Sequence, residues 1–238
     1  MSVIIFTSCV QPNTQVEVWS SSVRKYEMLD NIEAFRKSEC DLKFEQVILA
    51  DCSTDPKMSE DFFQLVRERC GNEKFIFHHV SFSELQLRLI SEKGKGLSEL
   101  LMLSRVVDVF QLEDKSIVKI SGRYRPKSWK SFLNDLKIDQ NNRRLHISFS
   151  QIRKVALTYA FVIRGETLKE FDRTFRGKID DTQRCYVEHN FFSFLMNMKT
   201  SDMKRIYIQK YFTHIRSGST GVVPSFLKTI LRNVVYRF

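Results

Sequence analysis

Glycine and proline are scarce, 8 and 4 of 238 residues, which excludes a collagen-like, linker-rich or low-complexity chain. Long apolar runs are missing as well. Stretches such as Val3–Phe6 and Leu100–Leu103 fall far short of the ~18–20 residues that a membrane-spanning helix requires. No basic stretch precedes the first apolar run, so the N-terminus reads as a strand rather than a signal peptide. Cysteine is limited to Cys9, Cys40, Cys52, Cys70 and Cys185, an odd number with neither C-x-x-C nor Cys/His ligand spacing. That excludes a disulfide framework and a zinc site, and predicts reduced thiols in a cytosolic protein. No G-x-G-x-x-G follows the first strand, and there is no Walker A sequence and no Gly-x-Ser-x-Gly elbow. Dinucleotide oxidoreductases, P-loop phosphotransferases and serine hydrolases are disfavoured accordingly. No D-x-D tripeptide occurs either, so a divalent metal on a diphosphate has no evident anchor and none is expected.

What is present is positive charge, unevenly spread. The chain carries +10; residues 1–119 hold 15 basic and 19 acidic side chains, and residues 120–238 hold 23 and 9. The second half, at +14, suits a polyanionic partner or an anionic membrane surface, with a plain solubilising excess as the alternative. At 42% hydrophobic and 12% aromatic residues the chain is globular rather than disordered.

Val-, Ile- and Phe-rich runs predict strands at Val3–Phe6, Gln46–Ala50, Lys74–His78, Ile117–Ile120, Leu145–Phe149, Thr158–Ile163 and Arg205–Tyr211. Helical spacing predicts helices at Arg24–Lys37, at Glu60–Cys70 behind a Ser59 N-cap, and at Leu97–Phe110. Further helices are expected at Glu166–Arg176, Thr182–Met198 and Pro224–Tyr236. The alternation of strand and helix over the first 120 residues predicts an α/β fold with a mostly parallel central sheet and an irregular C-terminal helical portion. One domain over residues 1–223 is expected, made of halves 1–120 and 121–223, followed by an amphipathic basic helix at 224–238.

Ligands of open α/β sheets bind beyond the carboxyl ends of the strands. There the first strand runs into Thr7-Ser8-Cys9, and the second into Asp51, either a turn acid or a contact to a nucleoside. Lys93-Gly94-Lys95-Gly96 precedes the helix at Leu97, where two ammonium groups and a helix N-terminus suit an anion. Glu99, one turn in, is a first-turn helix acid or a contact to the same ligand. The sharpest signal is Lys119-Ile120-Ser121-Gly122-Arg123-Tyr124: Lys119 and Ser121 share a strand face, Gly122 allows a tight path, and Arg123 offers a fork for phosphate. Asp181 and Glu188 stand about two helical turns apart, as a candidate general base pair or as an N-cap acid and a solvated acid. His214 and the turn Ser217-Gly218-Ser219-Thr220-Gly221 close the series.

These blocks in this order, K-G-K-G-x-x-E and then K-I-S-G-R-Y, resemble a group of bacterial GT-A-like glycosyltransferases that assemble lipopolysaccharide and capsular polysaccharide, across roughly residues 3–221. The chain departs from the group's K-G-x-G-E block, because Leu97-Ser98 intervene before Glu99. The resemblance implies a nucleotide-sugar donor, a UDP-sugar above others, bound by the first half. It implies a hydroxyl of a lipid-linked or growing cell-surface glycan as acceptor, bound by the second. Ser8, Asp51, Lys93, Lys95, Gly96, Lys119, Ser121, Gly122, Arg123 and Tyr124 are then the expected donor contacts. Without D-x-D, Lys95, Lys119 and Arg123 are expected to stabilise the diphosphate leaving group without metal. Glu188, with Asp181 behind it, is the expected catalytic carboxylate, and His214, Ser219 and Thr220 are expected acceptor or phosphate contacts. A cytoplasmic protein is expected, peripheral on the inner membrane face if the basic stripe of 224–238 meets anionic lipid. The competing class is a nucleic-acid-binding protein or nuclease using the basic half; it lacks a recognisable binding motif, so nucleic acid is not the expected partner.

Overall fold

The computed structural model describes residues 2–11, 21–71, 74–136 and 144–212. The chain runs β1 (Ser2–Ser8), α1 (Ser21–Lys37), β2 (Gln46–Asp51), α2 (Pro56–Cys70) and β3 (Phe75–His79). It continues through α3 (Glu84–Lys93), α4 (Lys95–Phe110), β4 (Ser116–Ser121) and α5 (Trp129–Leu136). The last third comprises β5 (Leu145–Ile147), β6 (Phe149–Ser150), β7 (Val155–Ala156), β8 (Ala160–Arg164), α6 (Gly165–Phe175), α7 (Val187–Met196) and β9 (Met203–Arg205). Seven strands form one sheet in the order β3-β2-β1-β4-β8-β5-β9. β8 runs antiparallel to both of its neighbours and every other pairing is parallel, so the expected mostly parallel α/β sheet is present.

Period-two alternation builds the two layers. Val3 and Ile5, Ile48 and Ala50, and Ile117 enter a core beneath α3, α4, α6 and α7. Ile4 and Phe6, Val47 and Leu49, and Val118 and Ile120 face α1, α2 and α5 on the other side. With both faces covered, the strands read as continuous apolar runs. On the second face Phe6, Phe35, Trp129 and Phe132 meet edge to face at 4.8–5.8 Å between ring centroids. Each such pair contributes about 0.5–1.5 kcal/mol beyond the area it buries. By the same alternation Lys119 takes an inward position on the α4 side, where a core residue belongs, and it is fully buried.

Local chemistry moved several expected boundaries. α2 starts at Pro56, a residue suited to the first turn, with Asp55 as N-cap accepting from the Lys57 amide at 2.9 Å. Ser59 therefore lies inside the helix rather than before it. α3 was not foreseen; a capping box between Ser83 and Gln86 starts it, and Gly94 at φ 99° ends it and opens α4. The helix expected from Thr182 begins only at Val187. Asp180 instead accepts from the amides of Thr182 and Gln183 and from the Thr182 hydroxyl, and it bridges to Cys185, closing a tight turn. Asp181 and Glu188 thus do not share a helix. The strand expected over Arg205–Tyr211 stops at Arg205, and a short 3-10 turn follows at Gln209–Tyr211. The helix expected at Pro224–Tyr236 lies outside the described residues.

Candidate active site

The carboxyl ends of β1, β2 and β4 meet α4 and the first turn of α7. At the end of β2, Asp51 is fully buried. Its Oδ2 accepts from the Ser8 hydroxyl at 2.6 Å and the Val10 amide at 3.1 Å. Its Oδ1 accepts from the Ser53 amide at 2.8 Å and the Ser59 hydroxyl at 2.5 Å. A carboxylate has about four lone-pair sites, and here all are taken. Ser59 also meets Nδ1 of His79 at 2.8 Å, tying in the end of β3. Asp51 and Ser8, expected to touch a nucleoside, tie the end of β1 and Val10 to the end of β2 and to Ser59 of α2.

The centre of the site is an ion pair between β4 and α4. Lys119 Nζ lies 2.6 Å from Glu99 Oε1, and donates to Ser121 Oγ at 2.7 Å and to the Thr158 carbonyl at 2.5 Å. An ammonium has three N–H groups, and these three partners use them all. Lys119, expected to face a diphosphate, has no donor left for one. Glu99 Oε1 also accepts from Thr7 Oγ1 and Ser121 Oγ, each at 3.1 Å. Burial works against the Glu99 charge, but Lys119 and the two hydroxyls outweigh it, and its carboxyl lies below the usual glutamate range. Burial likewise pulls the Lys119 ammonium down while Glu99 opposes the shift.

The turn after β4 is held from two sides. Gly122 donates its amide to the Thr7 carbonyl at 2.8 Å, and a Cβ there would press on that carbonyl and on Met28 at 3.2 Å. Asn31, fully buried on α1, donates Nδ2 to the carbonyls of Gly122 and Tyr124 at 2.8 and 3.2 Å. This fixes Arg123, whose guanidinium lies 6.0 Å from the Tyr124 ring centre. Among the described residues no carboxylate forms a salt bridge with Arg123. Tyr124 packs its ring against Tyr159 at 5.1 Å, and burial raises its phenol.

The N-terminus of α4 was expected to take an external anion. In the structure the anion there is Asp181, which accepts from the Gly96 amide at 3.2 Å while its own amide donates to the Lys93 carbonyl at 2.7 Å. A Cβ on Gly94 would lie 2.6 Å from the Asp181 side chain, so glycine is required there. Burial raises the Asp181 carboxyl against the pull of Gly96 and Lys95. Lys93 turns away and donates to the Gly177 carbonyl at 3.2 Å, whereas Lys95 is exposed. Glu188, in the first turn of α7, accepts weakly from Thr158 Oγ1 at 3.4 Å. Burial pushes its carboxyl above the usual range; Glu99 and Asp181 add to this and Lys95 opposes it.

The structure thus gathers Thr7, Ser8, Asp51, Lys95, Gly96, Glu99, Lys119, Ser121, Gly122, Arg123, Tyr124, Asp181 and Glu188 at one end of the sheet. His214, Ser219 and Thr220 lie outside the described residues. Asn31 and Thr158 were missed by sequence reasoning. Asn31 had a faint signal, as a polar residue between Met28 and Ile32 on the apolar face of its helix; Thr158 had none. Among the described residues no group of three or more His, Cys, Asp or Glu side chains is arranged to hold a metal ion, and no helix is long and apolar enough to cross a membrane.

No family model matches this chain, and no curated protein matches it. Among solved structures it is similar to the glycosyltransferase GlyE of Streptococcus pneumoniae, at 12% identity and a TM-score of 0.47, over 87% of this chain. It spans only 45% of that protein's length. It is similar to galactosyltransferase LgtC in complex with donor and acceptor sugar analogues, at 9% identity and a TM-score of 0.48, over 85% of this chain and 72% of that one. It is also similar to 4-diphosphocytidyl-2C-methyl-D-erythritol synthase, at 8% identity and a TM-score of 0.45, over 98% of both chains. Likenesses this distant transfer no activity to this chain.

Proposed function

We propose that this chain transfers a glycosyl group from a nucleotide-sugar to a hydroxyl of an acceptor glycan. The observation that carries the reading is a connected pair of carboxylates at the carboxyl end of the sheet: Glu99, 2.6 Å from the fully buried Lys119, and Glu188, which accepts at 3.4 Å from Thr158, the residue whose carbonyl also holds Lys119. Glu99 is held charged by a buried lysine, and Glu188 is raised by burial. Carboxylates whose surroundings push their pKa values apart suit separate roles in one reaction. Glu188 is the general base: the acceptor oxygen bonds the anomeric carbon, the carbon–oxygen bond to phosphate breaks with its electron pair on the nucleoside diphosphate, and Glu188 takes the hydroxyl proton. Lys95 and Arg123 are the cations available to the leaving group, and the saturation of Lys119 makes it a positioning residue. Asp181 orients the α4 entrance.

The donor is a UDP-sugar in this reading. The acceptor is a lipid-linked or cell-surface glycan of the bacterial type, supported by the K-I-S-G-R-Y block and by the +14 second half. Peripheral attachment to an anionic membrane face belongs to this reading, supported by Lys228, Arg232 and Arg237 in the sequence of 224–238, and liposome sedimentation of the full chain and of a chain ending at Val223 tests it. The decisive experiment is a thermal-shift screen of UDP-, GDP-, CMP- and dTDP-sugars, since ligands of the native state raise apparent stability. A response to one nucleotide class is expected, and silence to all overturns the reading. Activity that EDTA abolishes and Mn²⁺ restores would overturn the metal-free stabilisation of the leaving group.

A further inference from the structure

We propose that Glu99 binds the sugar of the donor, with Oε1 locked to the scaffold and Oε2 presented to sugar hydroxyls; this deepens the glycosyl-transfer reading and rests on it. Three donors from two strands converge on Oε1: Thr7 of β1, and Lys119 and Ser121 of β4. Among the described residues none donates to Oε2, and the side chain is 29% exposed although its lysine partner is fully buried. The carboxylate is therefore fixed in direction by one oxygen and open at the other. An anion opposes a phosphate, so the open oxygen marks the glycosyl end of the crevice, with Lys95 and Arg123 serving the diphosphate. Oε2 keeps two lone-pair directions, which fit the hydroxyl hydrogens of a polyol and accept nothing from an aprotic ligand. Thr158 links the two acids: its carbonyl accepts from Lys119, the partner of Glu99, and its hydroxyl donates to Glu188 at 3.4 Å. Lys119 is what makes this arrangement rigid, because its other two N–H groups are anchored at Ser121 and the Thr158 carbonyl.

The test is calorimetric titration of the full chain with UDP alone and with UDP-glucose, UDP-galactose and UDP-N-acetylglucosamine. If a screen names another nucleotide, its free form and its sugar conjugates replace these. Hydrogen bonds to a charged group give the scale of the effect: E99Q weakens the best nucleotide-sugar by about 10- to 100-fold and leaves the free nucleotide within about twofold. E99Q also strips Lys119 of its counter-charge, so the neutral pair E99Q/K119M is measured beside it, and the sugar-selective loss must persist there. Equal loss of the free nucleotide and its sugar conjugate, or no loss of either, overturns the inference while leaving glycosyl transfer standing. A wild-type chain that binds no nucleotide-sugar overturns both.

Discussion

The ammonium of Lys119 and the carboxylate of Glu99 meet at 2.6 Å across the seam between β4 and α4, one fully buried and the other 29% exposed. A buried lysine is tolerated only with its charge compensated and its donors satisfied, and here both conditions hold. The pair is therefore buried on the lysine side and open to solvent on the glutamate side.

Stability should report this asymmetry. E99Q leaves Lys119 buried without its counter-charge and is expected to cost about 3–5 kcal/mol in urea unfolding. The double variant E99Q/K119M should recover most of that loss, giving a large coupling energy in a double-mutant cycle. The pH dependence follows from the depressed Glu99 carboxyl. Its contribution is present above the unfolded glutamate pKa and is lost as pH falls through the lower folded value. An acid limb of the stability profile that is identical in wild type and E99Q/K119M would refute the assignment.

Glu188 should behave in the opposite way. Its folded pKa is raised, so the fold favours the protonated form; that stability is present below the unfolded value and lost as pH rises through the folded one. Glu188→Gln is expected to raise the melting temperature at neutral pH while lowering turnover about 100- to 10,000-fold. The acid limb of the wild-type rate profile should lie above the ordinary glutamate range. Unchanged turnover in E188Q would remove Glu188 from the chemistry.

Gly94 meets two constraints, a backbone at φ 99° and the Asp181 side chain 2.6 Å from where a Cβ would stand. Gly94→Ala should destabilise by about 1–3 kcal/mol, the scale of a strained backbone position. The contact includes the Asp181 Cβ, so adding Asp181→Gly, which removes that atom, should return the steric share and leave the backbone share. Strict additivity of the two changes in denaturant melts would show that the contact is not formed.

The thiols should divide by exposure. Cys185 is exposed, whereas burial pushes the Cys70 thiol up to about 11. Cys52 is buried and shifted upward, first by its hydrogen bond with Cys9 and then by burial. A disulfide reagent at pH 8 should react fastest at Cys185, and Cys185→Ser should remove that fast phase. Rapid labelling of Cys70 in the folded protein would contradict the packing of α2.

The layer structure was legible in the sequence. Alternation in β1, β2 and β4 is a local property: each apolar residue states which face it joins, and runs apolar on both faces demand a helical layer on each side. Strand ends rich in Ser, Thr, Asp and Gly likewise announced which polar residues gather at one end of the sheet. What spacing could not contain was which polar atoms meet across the fold. Lys119 and Thr158 stand 39 residues apart, and Asp181 reaches Gly96 over 85. Those meetings decided that the three donors of Lys119 are all paired within the chain, that Asp51 is saturated, and that the α4 N-terminus meets the chain's own carboxylate. Residue type and periodicity determined which groups arrive at the carboxyl end of the sheet. Only tertiary packing decided which of their hydrogen-bonding sites remain open, because a donor or acceptor is available to a ligand only when the fold has not already paired it.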